Sequence, residues 1–192
     1  LYEKNEWNPE NENNFSPALA NRIDRNTGGI VLAAKNAEAL RELNFAIKNR
    51  NIKKYYLAVV HGKFAEKENT ISAYLTKDER KNKVSISSKE TENSKKITTK
   101  YKVIDYYPDY SLIEVDLITG RTHQIRAHFA SINHPLLNDG KYGKEEGRFR
   151  QALYAYKIKF NLREDSILSY LNKKEFTAEN IKFLKDFKER LF

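Results

Sequence analysis

A chain of 192 residues with no cysteine and a formal net charge of +9 (pI near 9.5) has room for one domain with a real core, and it excludes disulfides and thiolate metal sites. A hydrophobic fraction of 40%, 12% aromatics, 32% charged residues and a mean hydropathy of -0.77 describe a globular fold with a heavily solvated surface. No apolar run reaches bilayer-spanning length and the first ten residues lack the regions of a signal peptide, so a cytoplasmic location is expected, while the basic charge points to a polyanion, nucleic acid ahead of an anionic membrane surface.

Residues 1–20 are rich in Asn and Glu and read as an irregular segment whose Trp7 and Phe15 dock on the body. The stretch Asn21 to Lys35 (N-R-I-D-R-N-T-G-G-I-V-L-A-A-K) sets Asp24 between Arg22 and Arg25. Positive charge on both sides keeps a carboxylate ionised, which suits a nucleophile. These residues alone are better described as two solvated arginines and an aspartate that caps a turn. Gly29 to Ala34 is expected as a buried strand, and Asn36 as the cap of a helix with Leu40, Leu43 and Ile47 on one face.

Ile52 to Val60 reads as a strand, and Ile71–Leu75 with Val84–Ser88 as a hairpin. Lys89 to Lys100 reads as a basic loop, and Tyr101–Tyr106 with Ser111–Ile118 as antiparallel partners whose apolar face carries Ile113, Val115 and Leu117. A glycine break opens a helix near Thr122 to Ile132, on which Thr122, Ile125 and Phe129 share a packing face and Arg126 has the reach to meet Asp24. Ala152 to Leu162 returns to strand alternation, and Thr177 is expected to open a last helix striped by Ile181, Leu184, Phe187 and Leu191.

Four histidines (His61, His123, His128, His134) raise a metal site, but His123 and His128 stand five apart on the predicted helix and point in different directions, so none is expected. No G-x-S-x-G and no phosphate-cradling glycine motif appears, which removes the main support for serine hydrolysis and nucleotide chemistry. An Arg-flanked aspartate, strand aromatics and a basic helix start suit base chemistry on RNA, where a flipped base needs an aromatic surface and phosphates need cations. Asp24, Tyr56, Arg22, Arg121 and Lys54 could supply these, although spacing alone favours Tyr56 as a core tyrosine with a satisfied hydroxyl.

Three blocks resemble the RluA-type pseudouridine synthases: N-R-I-D-R-N-T-G-G, Lys54-Tyr55-Tyr56-Leu57-Ala58, and L-I-T-G-R-T-H-Q-I-R-A-H through N-D-G-K-Y-G. The resemblance implies an α+β fold, with a mixed, largely antiparallel sheet, flanking helices and a central active-site cleft. It makes Asp24 the nucleophile, Tyr56 the ring stacked on the target uracil and Arg126 the partner of Asp24. Arg22 would help displace the base, and Lys54, Arg121, His123 and Gln124 would contact RNA. The activity implied is isomerisation of uridine in RNA, ribosomal RNA ahead of transfer RNA, by a monomer that needs no cofactor or metal. A non-catalytic RNA-binding module on the same fold is the alternative.

The sequence departs from the usual family pattern at Asn21 (often His), Gly28 (often Ser), Asn133 and Asn138 (usually Gly) and Tyr154 (often His). It also lacks a methionine, the K-P-x-G segment and the S4-type domain of many members. The expectation is therefore a fragment: one catalytic domain over residues 1–192, with residues 163–192 as a helical C-terminal segment.

Overall fold

Runs of β-branched and aromatic residues separated by short polar turns give the chain its strands. The computed structural model describes residues 15–144 and 150–189, so Trp7 and Leu191 lie outside the described residues. The strands are β1 (Ala18–Leu19), β2 (Gly28–Gly29), β3 (Ala33–Ala34), β4 (Ile52–His61), β5 (Glu68–Asp78), β6 (Lys83–Ser87), β7 (Lys95–Tyr107), β8 (Tyr110–Asp116), β9 (Leu153–Phe160) and β10 (Glu175–Thr177). The helices are α1 (Ala37–Lys48), α2 (Gln124–Ser131) and α3 (Lys182–Lys188).

One sheet runs in the order β10-β9-β4-β8-β7-β5-β6, antiparallel throughout, and β2 adds to β9 in parallel. This is the α+β, mixed and largely antiparallel architecture expected. Alternation sends the two faces of the central strands into different cores. Tyr56, Ala58 and Val60 of β4, Ile113 and Val115 of β8, and Leu153 and Ala155 of β9 pack under Ile125 and Phe129 of α2. Leu57 and Val59 of β4 and Leu112 of β8 turn the other way and meet Phe183 and Phe187 of α3. A third cluster seats Leu43 and Ala46 of α1 on Ile52, Ile158 and Phe160. The Asn36 side chain caps α1 as expected, accepting the Ala39 N–H at 2.8 Å.

Several expectations need correction. Gly29 to Ala34 is no continuous buried strand: Gly28–Gly29 joins β9, Ala33–Ala34 joins β1, and the residues between cross from one partner to the other with Val31 exposed. Residues 89–100 are not all loop, because β7 starts at Lys95 and buries Ile97, Thr99 and Tyr101 behind exposed lysines; the lysine content hides a period of two. On the face of β8 opposite Ile113 and Val115, Leu112 is also buried, with Phe183 and Phe187 of α3. Residues 163–189 are not mainly helical: Thr177 ends β10, a short 3-10 helix spans Ser169–Leu171, and α3 is seven residues long with Ile181 as its cap. Residues 15–20, read as irregular, include the short strand β1.

Candidate active site

The turn that carries Asp24 is fixed by its neighbours. The Thr27 N–H donates to the Asp24 carbonyl at 2.9 Å, closing a four-residue turn, and the buried Thr27 hydroxyl accepts the Gln151 side-chain amide at 2.9 Å. Beyond it the backbone runs against β9 so closely that a Cβ on Gly29 would lie 2.2 Å from the Ala155 carbonyl oxygen, and its φ of 123° lies where side chains are rarely tolerated. Gly28 is crowded too: a Cβ there would meet the Tyr154 ring at 2.6 Å. The glycine pair thus docks the Asp24 turn on the edge of the sheet.

A register shift between β4 and β9 falls at Tyr55/Tyr56, the position from which Tyr56 enters the cleft. The Tyr56 ring is 6% exposed, with its hydroxyl pushed up to about 12 by burial and secondarily by the Asp24 charge, so it stays a neutral phenol.

Arg126 rises from α2 and is held by two carboxylates. Its Nε and Nη2 donate to the two oxygens of Asp139 at 2.7 and 2.8 Å, a bidentate fork, and its Nη1 donates to Asp24 Oδ2 at 3.2 Å. Asp139 is fully buried and also accepts the N–H groups of Lys141 and Tyr142. Burial opposes the Arg126 charge, but the bonds and charges of Asp139 and then Asp24 outweigh it and raise its pKa, so the guanidinium stays charged. Asp139 was missed in the sequence as a site residue. The signal available was the turn before it: Asn138 has a φ of 59°, a left-handed conformation that Asn tolerates better than most side chains. Asn133, the other asparagine where the family usually has glycine, has a φ of 64°, so both departures keep the backbone shape glycine would give.

All eight predicted residues, Asp24, Tyr56, Arg126, Arg22, Lys54, Arg121, His123 and Gln124, line one cleft of about 140 Å³. That is below the roughly 300–1,000 Å³ of pockets for drug-sized ligands and suits one planar ring. Arg22 and Arg121 are exposed at its rim. Lys54 is half-buried, and burial together with the nearby Arg50 lowers its pKa. Arg25 is exposed, outside the cleft lining.

Gln124 lines the cleft, but its amide is bonded within the protein. Its oxygen accepts from the Thr119 hydroxyl and the Arg121 N–H, and its nitrogen donates to the Thr98 carbonyl and the Thr99 hydroxyl, which uses both ends of the amide. The histidines are likewise committed separately: His128 Nδ1 pairs with the Thr99 hydroxyl, His134 Nδ1 with the His61 carbonyl, and His123 Nδ1 with the Tyr142 hydroxyl. Asn21, where His is common, uses its side-chain oxygen to accept the Leu32 N–H at 2.7 Å and so closes the base of the motif.

The profile of the RNA pseudouridylate synthase family matches residues 2–131, and the chain belongs to that family, in agreement with its RluA-type blocks. It is 31% identical over 180 residues to the ribosomal large subunit pseudouridine synthase D of Borreliella burgdorferi, covering 92% of this chain and 54% of that protein. It is 39% identical over 150 residues to the ribosomal large subunit pseudouridine synthase C of Haemophilus ducreyi, covering 74% and 47%. The chain spans about half the length of the curated relatives it matches. Two human structures share the fold: RNA pseudouridylate synthase domain containing 1 (TM-score 0.70, 24% identity, 92% of this chain and 80% of that one) and domain containing 4 (TM-score 0.75, 17% identity, 91% and 76%).

Proposed function

We propose that the chain converts uridine in RNA to pseudouridine, with Asp24 as nucleophile, and that ribosomal RNA is preferred to transfer RNA. The observation that carries this is the Asp139–Arg126–Asp24 line: a buried carboxylate fixes the guanidinium, which holds the Asp24 carboxylate at the cleft. Orientation of a charged nucleophile before substrate arrives is what raises the rate of attack.

In the isomerisation the bond from C1′ to N1 of uracil breaks, the ring turns within the cleft, and C5 bonds to C1′. The proton released from C5 is balanced by the one taken up at N1, so no oxidant or reductant is consumed. Tyr56 keeps the loosened ring between its own face and the wall as a neutral aromatic. Arg22 displaces the base from its stack, and Lys54 and Arg121 neutralise phosphates at the rim. The preference for ribosomal RNA is supported by the two relatives named as ribosomal large subunit synthases. We place the protein in the cytoplasm as a monomer; no helix among the described residues is long and apolar enough to cross a membrane.

The test is to map pseudouridine in ribosomal and transfer RNA from cells with and without the gene for this protein. Loss of one or a few ribosomal sites supports the assignment. Unchanged maps in both RNAs would reject it.

A further inference from the structure

We infer that His123 is a substrate-contacting residue: oriented by Tyr142, it donates its Nε2–H to a carbonyl oxygen of the uracil in the cleft. This rests on the isomerase function proposed above and adds to it a residue that reads the base.

Three observations converge on this side chain. Its backbone has a φ of 53° at the start of α2, a left-handed conformation uncommon for a residue with a side chain, and such positions gather at functional sites. Its ring lines the same cleft as Asp24 and Tyr56. One ring nitrogen is already committed, with Nδ1 2.9 Å from the Tyr142 hydroxyl.

Tyr142 determines what the other nitrogen carries. Its hydroxyl oxygen accepts the Val84 N–H at 2.9 Å, so its own hydrogen is free to go to His123 Nδ1. A neutral imidazole that accepts at Nδ1 carries its proton on Nε2. Tyr142 is itself anchored, because its N–H donates to Asp139 and the Arg126 guanidinium lies 5.3 Å from its ring centre. The carboxylate that fixes Arg126 therefore also fixes the tyrosine that orients His123. Burial lowers the His123 pKa and keeps the ring neutral; the Asp24 and Asp139 charges oppose this, and Arg126 and Lys141 reinforce it.

A neutral donor is the form the chemistry needs. An imidazolium would compete with Arg126 for the Asp24 carboxylate, whereas a neutral N–H leaves that pair intact. Uracil offers two carbonyl acceptors. Cytosine keeps O2 but carries an amine in place of O4, so a contact at O4 would face it donor to donor and tell the two bases apart. The plain alternative is a packing histidine in edge contact with Tyr142, at 5.6 Å between ring centres. It predicts no rescue by another N–H donor.

The test uses single-turnover conversion of a uridine-containing RNA together with ¹⁵N NMR of the imidazole. His123→Ala is expected to slow conversion by about tenfold or more, the scale of a lost buried hydrogen bond. His123→Gln, whose terminal N–H has similar reach, recovers a large part of that loss and His123→Asn does not. Tyr142→Phe weakens the Nε2–H preference of the free protein and slows conversion less than His123→Ala. An unchanged rate in His123→Ala, or a Gln variant no faster than the Ala variant, overturns the proposal. The Nε2 resonance is also followed in Asp24→Asn protein, expected to bind without turnover, on adding a uridine oligonucleotide and its cytidine counterpart. A response to uridine alone supports the contact, and no response overturns it. Wild-type protein that makes no pseudouridine would instead reject the isomerase assignment, while the NMR arm still decides the contact.

Discussion

Removing the Asp139 charge tests how the central arginine is held. In Asp139→Asn the buried guanidinium keeps one carboxylate partner and loses its bidentate fork. Breaking a buried pair from one side costs about 3–5 kcal/mol, so the melting temperature should drop well below that of wild type. Arg126→Ala should lose mainly the single-turnover rate, because it no longer orients Asp24; an unchanged rate would remove it from the mechanism. Much at this scale was legible in the sequence. An arginine one helical turn past Thr122, with the reach to meet a carboxylate, together with the three family blocks, paired Asp24 with Arg126. Asp139 was not legible, because its part comes from a turn that folds it back under α2. The bonding of Gln124 was not legible either: nothing in its basic segment shows that Thr98, Thr99 and Thr119 take up its amide.

Among the elements, the docking of the Asp24 turn on β9 depends on two bare glycines. Gly29→Ala places a Cβ within 2.2 Å of the Ala155 carbonyl oxygen at a positive φ, so the turn must shift; a loss of at least about 1–3 kcal/mol is expected from denaturant unfolding. Gly28 and Tyr154, both unusual for the family, face each other across the same junction. Gly28→Ser should be destabilising by about 1–3 kcal/mol through overpacking, and Tyr154→His should relieve it in the double variant. Additive effects would show that the two departures are independent. The α2–β7 contact carries a pH signal, since burial of His128 against Thr99 lowers its pKa to about 4 from the ordinary 6.5. Between those values the unfolded chain takes up a proton that the folded one refuses. Stability is therefore complete above pH 6.5 and falls as pH drops toward 4, and His128→Asn should flatten that part of a melting-temperature profile.

For the whole molecule, the order of strands was less readable than their existence. Most strands of the sheet were found by alternation or composition, but sequence alone could not show that β9 pairs beside β4 while β2 reaches β9 in parallel. Those long-range pairings bring Asp24, Tyr56 and Arg126 to one cleft from three distant segments. The C-terminal segment was misread because Ile181, Leu184 and Phe187 do carry a helical stripe, yet the helix has only seven residues and its stability comes from the face of β4 and β8 that it covers. A net charge of +9 predicts RNA affinity that falls steeply with salt, as expected when phosphate neutralisation dominates binding.

The central claim is that Asp24 carries out the chemistry and the rest of the cleft holds it and the base. The most direct measurement compares wild type and Asp24→Asn for pseudouridine formed in ribosomal RNA under single-turnover conditions, with matched melting curves and RNA affinities as controls. Wild type should give product and Asp24→Asn none above background, at similar affinity. Equal product from both would contradict it.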